Sequence, residues 1–151
     1  MSYEKNLFEK AVVLITPVEK TKKTLINKVS KFWKAMKCKV KNISPELHDL
    51  VLSETSHLPH LVSFALVNII LNTKSIKNIK DYTGGGFRDF ARLAHSDGIM
   101  WNDICGTNEK NIITSINMLI KELNLIKNMV KSDDKSLQLY LNGIKTKLDK
   151  K

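Results

Sequence analysis

The spacing of apolar residues changes once along this chain, close to residue 44, and that change constrains the fold more than any other feature. Before it, residues 11–15 form a short continuous apolar run and residues 38–43 alternate in polarity, as strands do. Between them, apolar residues recur at helical spacing over 18–36. After residue 44 the long segments all have helical spacing. The pattern predicts a mainly α fold, with a helical domain at 45–151 preceded at 1–44 by a residual βαβ piece.

The composition fits a soluble protein that forms one compact domain or pieces of two. Of 151 residues, 42% are hydrophobic and 26% are charged. No uninterrupted apolar run approaches the roughly 20 residues that a spanning helix needs. The first ten residues are too polar for a secretory signal, so we expect a cytoplasmic location. Cys38 and Cys105 are too few for a disulfide framework and lack the spacing of a zinc site.

The net charge of +10 would ordinarily suggest nucleic acid or an anionic membrane as a partner. The cations argue against this, because Arg88 and Arg92 are the only arginines among 25 basic residues and the lysines are scattered. We therefore expect no nucleic acid and no membrane as partners, and nucleic-acid binding through the charge is only the third hypothesis. Two arginines within five residues instead indicate a place where a planar, bidentate cation is needed.

A long helix is predicted from residue 45 to about residue 72. Its start has a hydroxyl cap, a proline at the first position and an acid in the first turn, in the order Ser44-Pro45-Glu46. Pro59 falls in its middle, where the missing N–H frees the carbonyl of Thr55 and bends the helix. The bend lies within a cluster of polar side chains, which are Ser56, His57 and His60.

The two histidines of this cluster allow three interpretations. His60 lies four residues after Ser56 and three after His57, so the imidazoles can hydrogen-bond a hydroxyl or polarise a carbonyl. With Glu54 they could also ligate a metal, but that needs a further strong ligand and an open position that the sequence does not locate, so we predict no metal. The third interpretation is structural, with both rings satisfied inside a helical bundle.

A glycine-rich segment follows the polar linker 73–83 and leads directly into both arginines. Gly84-Gly85-Gly86 is not G-x-G-x-x-G and does not follow a strand, which disfavours a dinucleotide site. If a helix begins near residue 87, the glycine N–H groups lie at its N-terminus, where anions bind. Arg88 and Arg92 then share a face, and Asp89 can pair with Arg92. The segment predicts a carboxylate or phosphate pocket, and a flexible turn is the alternative.

The C-terminal third contains a heptad stripe, which is suited to packing on a partner helix. It is formed by Ile112, Ile116, Leu119, Leu123, Ile126 and Val130. Residues 132–134 break the helix and supply a cap. The same spacing resumes in a final helix at Leu137, Leu141, Ile144 and Leu148.

Four separate motifs, in this order and spacing, resemble prephenate dehydrogenase. They are Ser44-Pro45-Glu46-Leu47-His48-Asp49, Ser56-His57-Leu58-Pro59-His60, the segment from Gly84 to Arg92, and Ser96-Asp97 followed by Met100-Trp101-Asn102-Asp103-Ile104. The resemblance covers about residues 7 to 130. It implies oxidative decarboxylation of prephenate or arogenate with NAD or NADP in tyrosine biosynthesis. It also implies that 1–44 is the last βαβ unit of a Rossmann-like dinucleotide-binding domain, and that 45–151 binds substrate and dimerises.

The resemblance assigns roles to individual residues. Arg92 would bind a substrate carboxylate, and Asp89 and Arg88 would form an ionic network at the pocket entrance. Ser56 and His60 would hydrogen-bond the substrate. Gly85 would offer it a backbone group, and Trp101 would line its pocket. As partners it implies prephenate or arogenate, a second copy bound through the C-terminal helices, and, as one possibility, a separate nucleotide-binding chain.

Two features of the family are not found in this sequence. The glycine-rich nucleotide fingerprint and the catalytic histidine of a His-Pro motif both belong upstream, so we assign no catalytic residue and expect this chain to be a truncated portion. A split subunit, a remnant and an isolated C-terminal part all remain open. NAD or NADP would serve the complete enzyme. The rival hypothesis is a non-catalytic helical dimer or regulatory subunit that binds an aromatic acid.

Overall fold

The computed structural model describes residues 7–75, 77–132 and 134–150, and it is mainly α-helical with a small βαβ piece at its N-terminal end. This confirms the predicted fold class. In chain order the elements are β1 Val12–Ile15, α1 Lys23–Ala35, β2 Lys39–Asn42, α2 Pro45–Leu52, a π-helical turn Ser53–His57, α3 Leu58–Leu71, a 3-10 turn Ile79–Tyr82, α4 Gly85–Ala94, α5 Gly98–Thr107, α6 Glu109–Lys131 and α7 Ser136–Asp149. Residues 1–6, on which the expectation about a secretory signal partly rests, and Asp133 of the predicted helix break lie outside the described residues.

The N-terminal piece is a two-stranded parallel sheet joined by α1. Val12 lies opposite Lys39 and Ile15 lies opposite Asn42. α1 ends where Lys37 adopts a left-handed conformation, with φ of 63°, and the Cys38 N–H bonds to the Trp33 carbonyl. Both outer edges of the sheet lack a further strand among the described residues. Parallel sheets are normally buried on both faces, so this piece is only part of such a layer.

The long helix predicted from Pro45 runs through α2, the π-helical turn and α3 to Leu71. The Ser44 hydroxyl accepts a hydrogen bond from the Leu47 N–H at 3.1 Å, which confirms the predicted cap. The π-helical turn immediately precedes Pro59, and the Leu58 N–H reaches the Ser53 carbonyl five residues back. A wider turn relieves the clash between a proline ring and the preceding turn. The predicted distortion therefore takes the form of a π-helical turn.

The remaining helices pack around this long one. α4 lies against α3, and α6 lies against both the π-helical turn and α3. Asp97 caps α5 by accepting from the Met100 N–H at 2.8 Å. Asp134 accepts from the Ser136 N–H at 2.7 Å where α7 begins. These contacts place α3, α5 and the start of α6 around one junction, where the candidate site lies.

The heptad stripe of α6 is buried at one end only. Ile112 is 4% exposed, whereas Leu123 is 54% and Val130 65% exposed. α6 packs against the π-helical turn, and Tyr140 of α7 contacts Glu122 in its C-terminal half. The stripe is therefore available for contact with another chain over its C-terminal half.

The whole surface is larger than that of a compact monomer. A folded monomer of 17.2 kDa is expected to expose about 7,800 Å². This chain exposes 12651 Å². Among the described residues the buried apolar side chains are Cys38, Trp101 and Ile112. The helices thus leave most of their apolar surface without a partner inside the chain.

One helix combines apolar and polar residues over a length that could span a membrane. Among the described residues, the helical stretch Pro45–Leu71 is 27 residues long and apolar enough to cross a membrane by length and composition alone. The stretch contains no uninterrupted apolar run of that length, because serine, histidine and asparagine are interspersed in it. The central helix of a helical bundle meets the same criterion, and this helix packs against α4 and α6.

Candidate functional site

An aromatic cluster forms where the long helix meets α5. Trp101 of α5 stacks on His60, with ring centroids 4.4 Å apart and an interplanar angle of 29°. His57 and Phe64 approach the same indole edge-on, at 6.0 Å and 6.5 Å. Trp101 is 7% exposed, and its Nε1 is the one buried side-chain nitrogen or oxygen without a hydrogen-bond partner in the described part of the chain. The cluster brings together two predicted site residues, His60 and Trp101.

The π-helical turn determines how His60 is held. The His60 Nδ1 lies 2.9 Å from the Ser56 carbonyl oxygen. A carbonyl can only accept, so Nδ1 carries the hydrogen and Nε2 is the acceptor in the neutral ring. Ser56 contributes its backbone oxygen here, whereas the sequence led us to expect its hydroxyl to act. No hydrogen bond of the Ser56 hydroxyl or of His60 Nε2 is found within 7–75, 77–132 and 134–150, which leaves both for a ligand.

A polar network lies behind the cluster and involves residues that we had not assigned to the site. The side-chain amide of Asn108 donates to the Asp49 carbonyl at 2.7 Å and lies 3.3 Å from His57 Nδ1. Burial lowers the pKa of His57 below its usual value of 6.5, and the nearby His48 and His60 lower it further against the opposing effect of Asp49. His57 therefore takes up a proton less readily than a free imidazole does. The spacing of residues along the sequence does not point to Asn108, because its contacts form only where α5 and α6 meet.

The other predicted residues lie together on α4. Gly85, Arg88, Asp89 and Arg92 are three or four residues apart and all exposed, so they share one face. The helix begins at Gly85, two residues earlier than expected. Its N-terminus has no side-chain cap and no acid in its first turn. A Cβ built on Gly85 would lie 3.7 Å from Arg88 Nη2. The Arg88 guanidinium therefore lies over the N-terminal end of α4, which is the positive end of the helix dipole.

The predicted pairing of Asp89 with Arg92 is not formed. In the part of the chain that the structure describes, the ion pairs are Lys37 with Glu9 and His48 with Asp49. An exposed pair gains little over solvation, so spacing alone does not enforce it. The Arg92 guanidinium is left for an anion, and both side chains are left for another chain.

The two groups of predicted residues are adjacent through helix packing rather than through direct bonds. α4 packs against α3, which carries His60, but no hydrogen bond or ion pair between the α4 face and the aromatic cluster occurs among the described residues. The arrangement offers a cationic face with an uncapped helix N-terminus beside two imidazoles. Such a combination can bind a carboxylate and hydrogen-bond an uncharged oxygen.

Neither a metal nor a dinucleotide fits the described residues. No group of three or more His, Cys, Asp and Glu side chains in 7–75, 77–132 and 134–150 is placed to hold a metal ion. A dinucleotide fold holds the pyrophosphate at a glycine-rich turn between a strand and a helix, and residues 16–22 between β1 and α1 contain no glycine and give α1 no side-chain cap. The close backbone approach that a pyrophosphate needs is not provided here.

Comparison with known proteins places the chain in a family. The family described as "Prephenate dehydrogenase, dimerization domain" matches residues 44–142. The chain belongs to this prephenate dehydrogenase family. It is 34% identical over 129 residues to prephenate dehydrogenase of Bacillus subtilis, covering 85% of this chain and 35% of that protein. It is 31% identical over 130 residues to cyclohexadienyl dehydrogenase of Zymomonas mobilis, covering 85% and 44%. The chain thus spans less than half the length of these dehydrogenases.

Solved structures of the family share the fold. Prephenate dehydrogenase of Aquifex aeolicus, solved in complex with hydroxyphenyl propionate and NAD+, matches with a TM-score of 0.84 and 41% identity. The match covers 94% of this chain and 50% of that one. Synechocystis arogenate dehydrogenase matches with a TM-score of 0.81 at 23% identity, over 97% of this chain and 54% of that one. The prephenate dehydrogenase assignment predicted from the four motifs is confirmed.

Proposed function

We propose that this chain is the substrate-binding and dimerising portion of a prephenate dehydrogenase. The complete enzyme would oxidatively decarboxylate prephenate or arogenate to 4-hydroxyphenylpyruvate or tyrosine, with NAD or NADP, as a step of tyrosine biosynthesis in the cytoplasm. The observation that carries the proposal is the α4 face, where Arg88 and Arg92 lie beside uncapped backbone amides. An anionic aromatic acid is the ligand class that this face and the neighbouring aromatic cluster would suit.

The substrate's negative charge would be bound at α4. Arg92 would pair with a substrate carboxylate, and Asp89 and Arg88 would form the ionic network at the pocket entrance. The absence of an Asp89–Arg92 pair in the described chain leaves the Arg92 guanidinium available for this. Gly85 would add a backbone N–H at the positive end of the helix.

The uncharged part of the substrate would lie against the long helix. His60 would accept through Nε2, because its Nδ1 hydrogen is directed to the Ser56 carbonyl. The Ser56 hydroxyl would give a second hydrogen bond, and Trp101 would line the pocket. Its buried Nε1–H lacks an acceptor, which supports a role in a site completed by a ligand or a second chain. These groups bind and orient, and we assign no proton or hydride transfer to them.

The dinucleotide would be held elsewhere. Residues 16–22 do not suit a pyrophosphate, so we assign NAD or NADP to a separate nucleotide-binding segment or chain. The open edges of the β1–β2 sheet support this, because a parallel sheet needs more strands and covered faces. Residues 1–44 would join that domain, and residues 45–151 would form the helical domain.

A second copy of this chain would cover the exposed apolar helix faces. The chain exposes about 4,900 Å² more than the roughly 7,800 Å² expected for a compact monomer of its mass, the difference from its 12651 Å². Obligate dimers bury about 2,000–5,000 Å² over both partners together, so a second copy would cover part of this excess on each chain. The exposed C-terminal half of the α6 stripe, with Leu123 and Val130, would lie within the interface.

The proposal is tested by following the absorbance of the reduced nicotinamide with prephenate and NAD or NADP. We expect no activity from the chain alone, and activity when a nucleotide-binding chain is added. That activity should be lost in Arg92→Ala and kept in the matched variant Lys121→Ala on α6. Full activity of Arg92→Ala would contradict the pocket assignment. Binding of an aromatic acid without activity in either mixture would favour the non-catalytic helical dimer instead.

A further inference from the structure

Asn108 connects three helical elements at one buried point. It is 7% exposed and lies between α5 and α6. Its Nδ2 donates to the Asp49 carbonyl of α2 at 2.7 Å and lies 3.3 Å from His57 Nδ1 of the π-helical turn. Its Oδ1 accepts from Asn111 Nδ2 at 2.8 Å. All the hydrogen-bonding groups of this amide are engaged.

These bonds determine where the His57 hydrogen lies. The Asp49 carbonyl can only accept, so the amide atom that faces it is the NH2 group. The same NH2 group faces His57 Nδ1, which must therefore accept. Neutral His57 carries its hydrogen on Nε2, the opposite tautomer to His60, which donates from Nδ1 to the Ser56 carbonyl. Two rings three residues apart thus present one donor and one acceptor.

The surroundings of His57 agree with this assignment. A protonated ring would direct an N–H at the Asn108 NH2 group, which has no acceptor to offer. The titratable groups that act on the ring are His48 and Asp49 of α2 and His60 of α3, and with burial they lower its pKa on balance. Trp101 of α5 covers the ring edge and carries no charge.

A second bond fixes the same turn to α6. The hydroxyls of Ser53 and Ser115 lie 3.2 Å apart, and both residues are buried. Asn108 and Ser115 therefore hold the π-helical turn at two points, each contacting a side chain that lies 51 and 62 residues away in sequence, respectively. The orientation of His57 depends on the junction between α5 and α6 rather than on its own helix.

We propose that Asn108 is a positioning residue of the candidate site, which holds His57 as the Nε2–H tautomer and so sets the hydrogen that this ring offers beside Trp101. The inference rests on the proposed function, because the hydrogen that His57 offers matters only if a ligand binds beside it. It assigns no catalytic step to Asn108.

The test is nitrogen-15 NMR of the histidine rings in the full 151-residue chain. In the unmodified protein we expect hydrogen on Nε2 of His57 and on Nδ1 of His60, with His57→Gln identifying the resonances. Asn108→Asp replaces the donor by a carboxylate of the same shape. It should move the His57 hydrogen to Nδ1 and raise the pKa by about one to three units, which raises the protonated-to-neutral ratio at least about tenfold.

Asn102→Asp on the exposed side of α5 is the matched control, and it should leave His57 unchanged. Finding the His57 hydrogen on Nδ1 in the unmodified chain would overturn the proposal. This result can be measured even if Asn108→Asp fails to fold. An equal His57 titration in Asn108→Asp and Asn102→Asp would also overturn it. Rings of His60 and His95 report any general disturbance.

Calorimetry with hydroxyphenyl propionate separates this inference from the proposed function. If the unmodified chain does not bind the acid, the proposed function fails while the tautomer result stands. If it binds, Asn108→Asp should weaken the affinity several-fold more than Asn102→Asp. Equal affinities in the two variants would overturn the positioning role and leave the proposed function intact.

Discussion

The indole of Trp101 stacks on the imidazole of His60 with ring centroids 4.4 Å apart, and this contact joins α5 to the long helix at the candidate site. The same indole is 7% exposed and its Nε1 has no acceptor among the described residues. The apolar surface of the indole therefore has a structural role, whereas its N–H group makes no hydrogen bond among the described residues. Substitutions can separate the two.

Replacing Trp101 tests this division. Trp101→Ala should lower the free energy of unfolding by about 3–5 kcal/mol, because it removes a large buried ring. Trp101→Phe should cost about 1 kcal/mol or less, because it keeps an aromatic ring for stacking and removes a buried N–H that lacks a partner. Denaturant unfolding followed by circular dichroism measures both. Equal losses in the two variants would contradict the view that an aromatic ring at this position is enough to stabilise the junction.

The stability of the protein should depend on pH through His57. Its folded-state pKa lies below the ordinary value of 6.5, so the unfolded chain takes up a proton more readily. The free energy of unfolding is therefore at its full value above about pH 6.5 and falls as the pH drops below it. His57→Gln should make this fall smaller, whereas His95→Gln at the exposed end of α4 should not. Identical pH profiles for both variants would refute the assignment.

The apolar stripe of α6 should hold two copies together. Leu123→Asp places a charge on an exposed apolar position of the stripe and should yield monomers or aggregates in light scattering. Asn124→Asp adds the same charge to the next, exposed and polar position, and should leave the dimer mass unchanged. A dimer of unaltered mass in Leu123→Asp would remove the stripe from the interface.

The start of the long helix should depend on one hydroxyl. Ser44→Ala removes the acceptor of the Leu47 N–H and should cost about 1 kcal/mol. Ser44→Asp restores an acceptor and should recover most of the loss. Thermal unfolding of the three proteins gives the comparison. If aspartate and alanine destabilise equally, the cap contributes little to folding.

Local sequence signals predicted the elements well. The cap at Ser44 and the distortion before Pro59 depend on residues within one or two turns, and the structure has both, the second as a π-helical turn. The motifs also led to the correct family. Features of this kind can be derived from sequence because the interacting groups are neighbours in the chain.

Long-range features were missed for the opposite reason. Ser53 of the π-helical turn contacts Ser115, and His57 of the same turn contacts Asn108, each across more than fifty residues. Spacing also allowed an Asp89–Arg92 pair that the exposed helix does not form. Only the packing of α6 against the π-helical turn reveals the first two.

Calorimetric titration of prephenate into the purified chain and into Arg92→Ala tests the central claim most directly. We predict saturable binding to the unmodified chain and to the control Lys121→Ala, and an affinity about 10- to 100-fold lower in Arg92→Ala, because a charge-assisted contact to a carboxylate is lost. Light scattering on the same samples should give an unchanged dimer. Equal affinities in Arg92→Ala and Lys121→Ala would contradict the account.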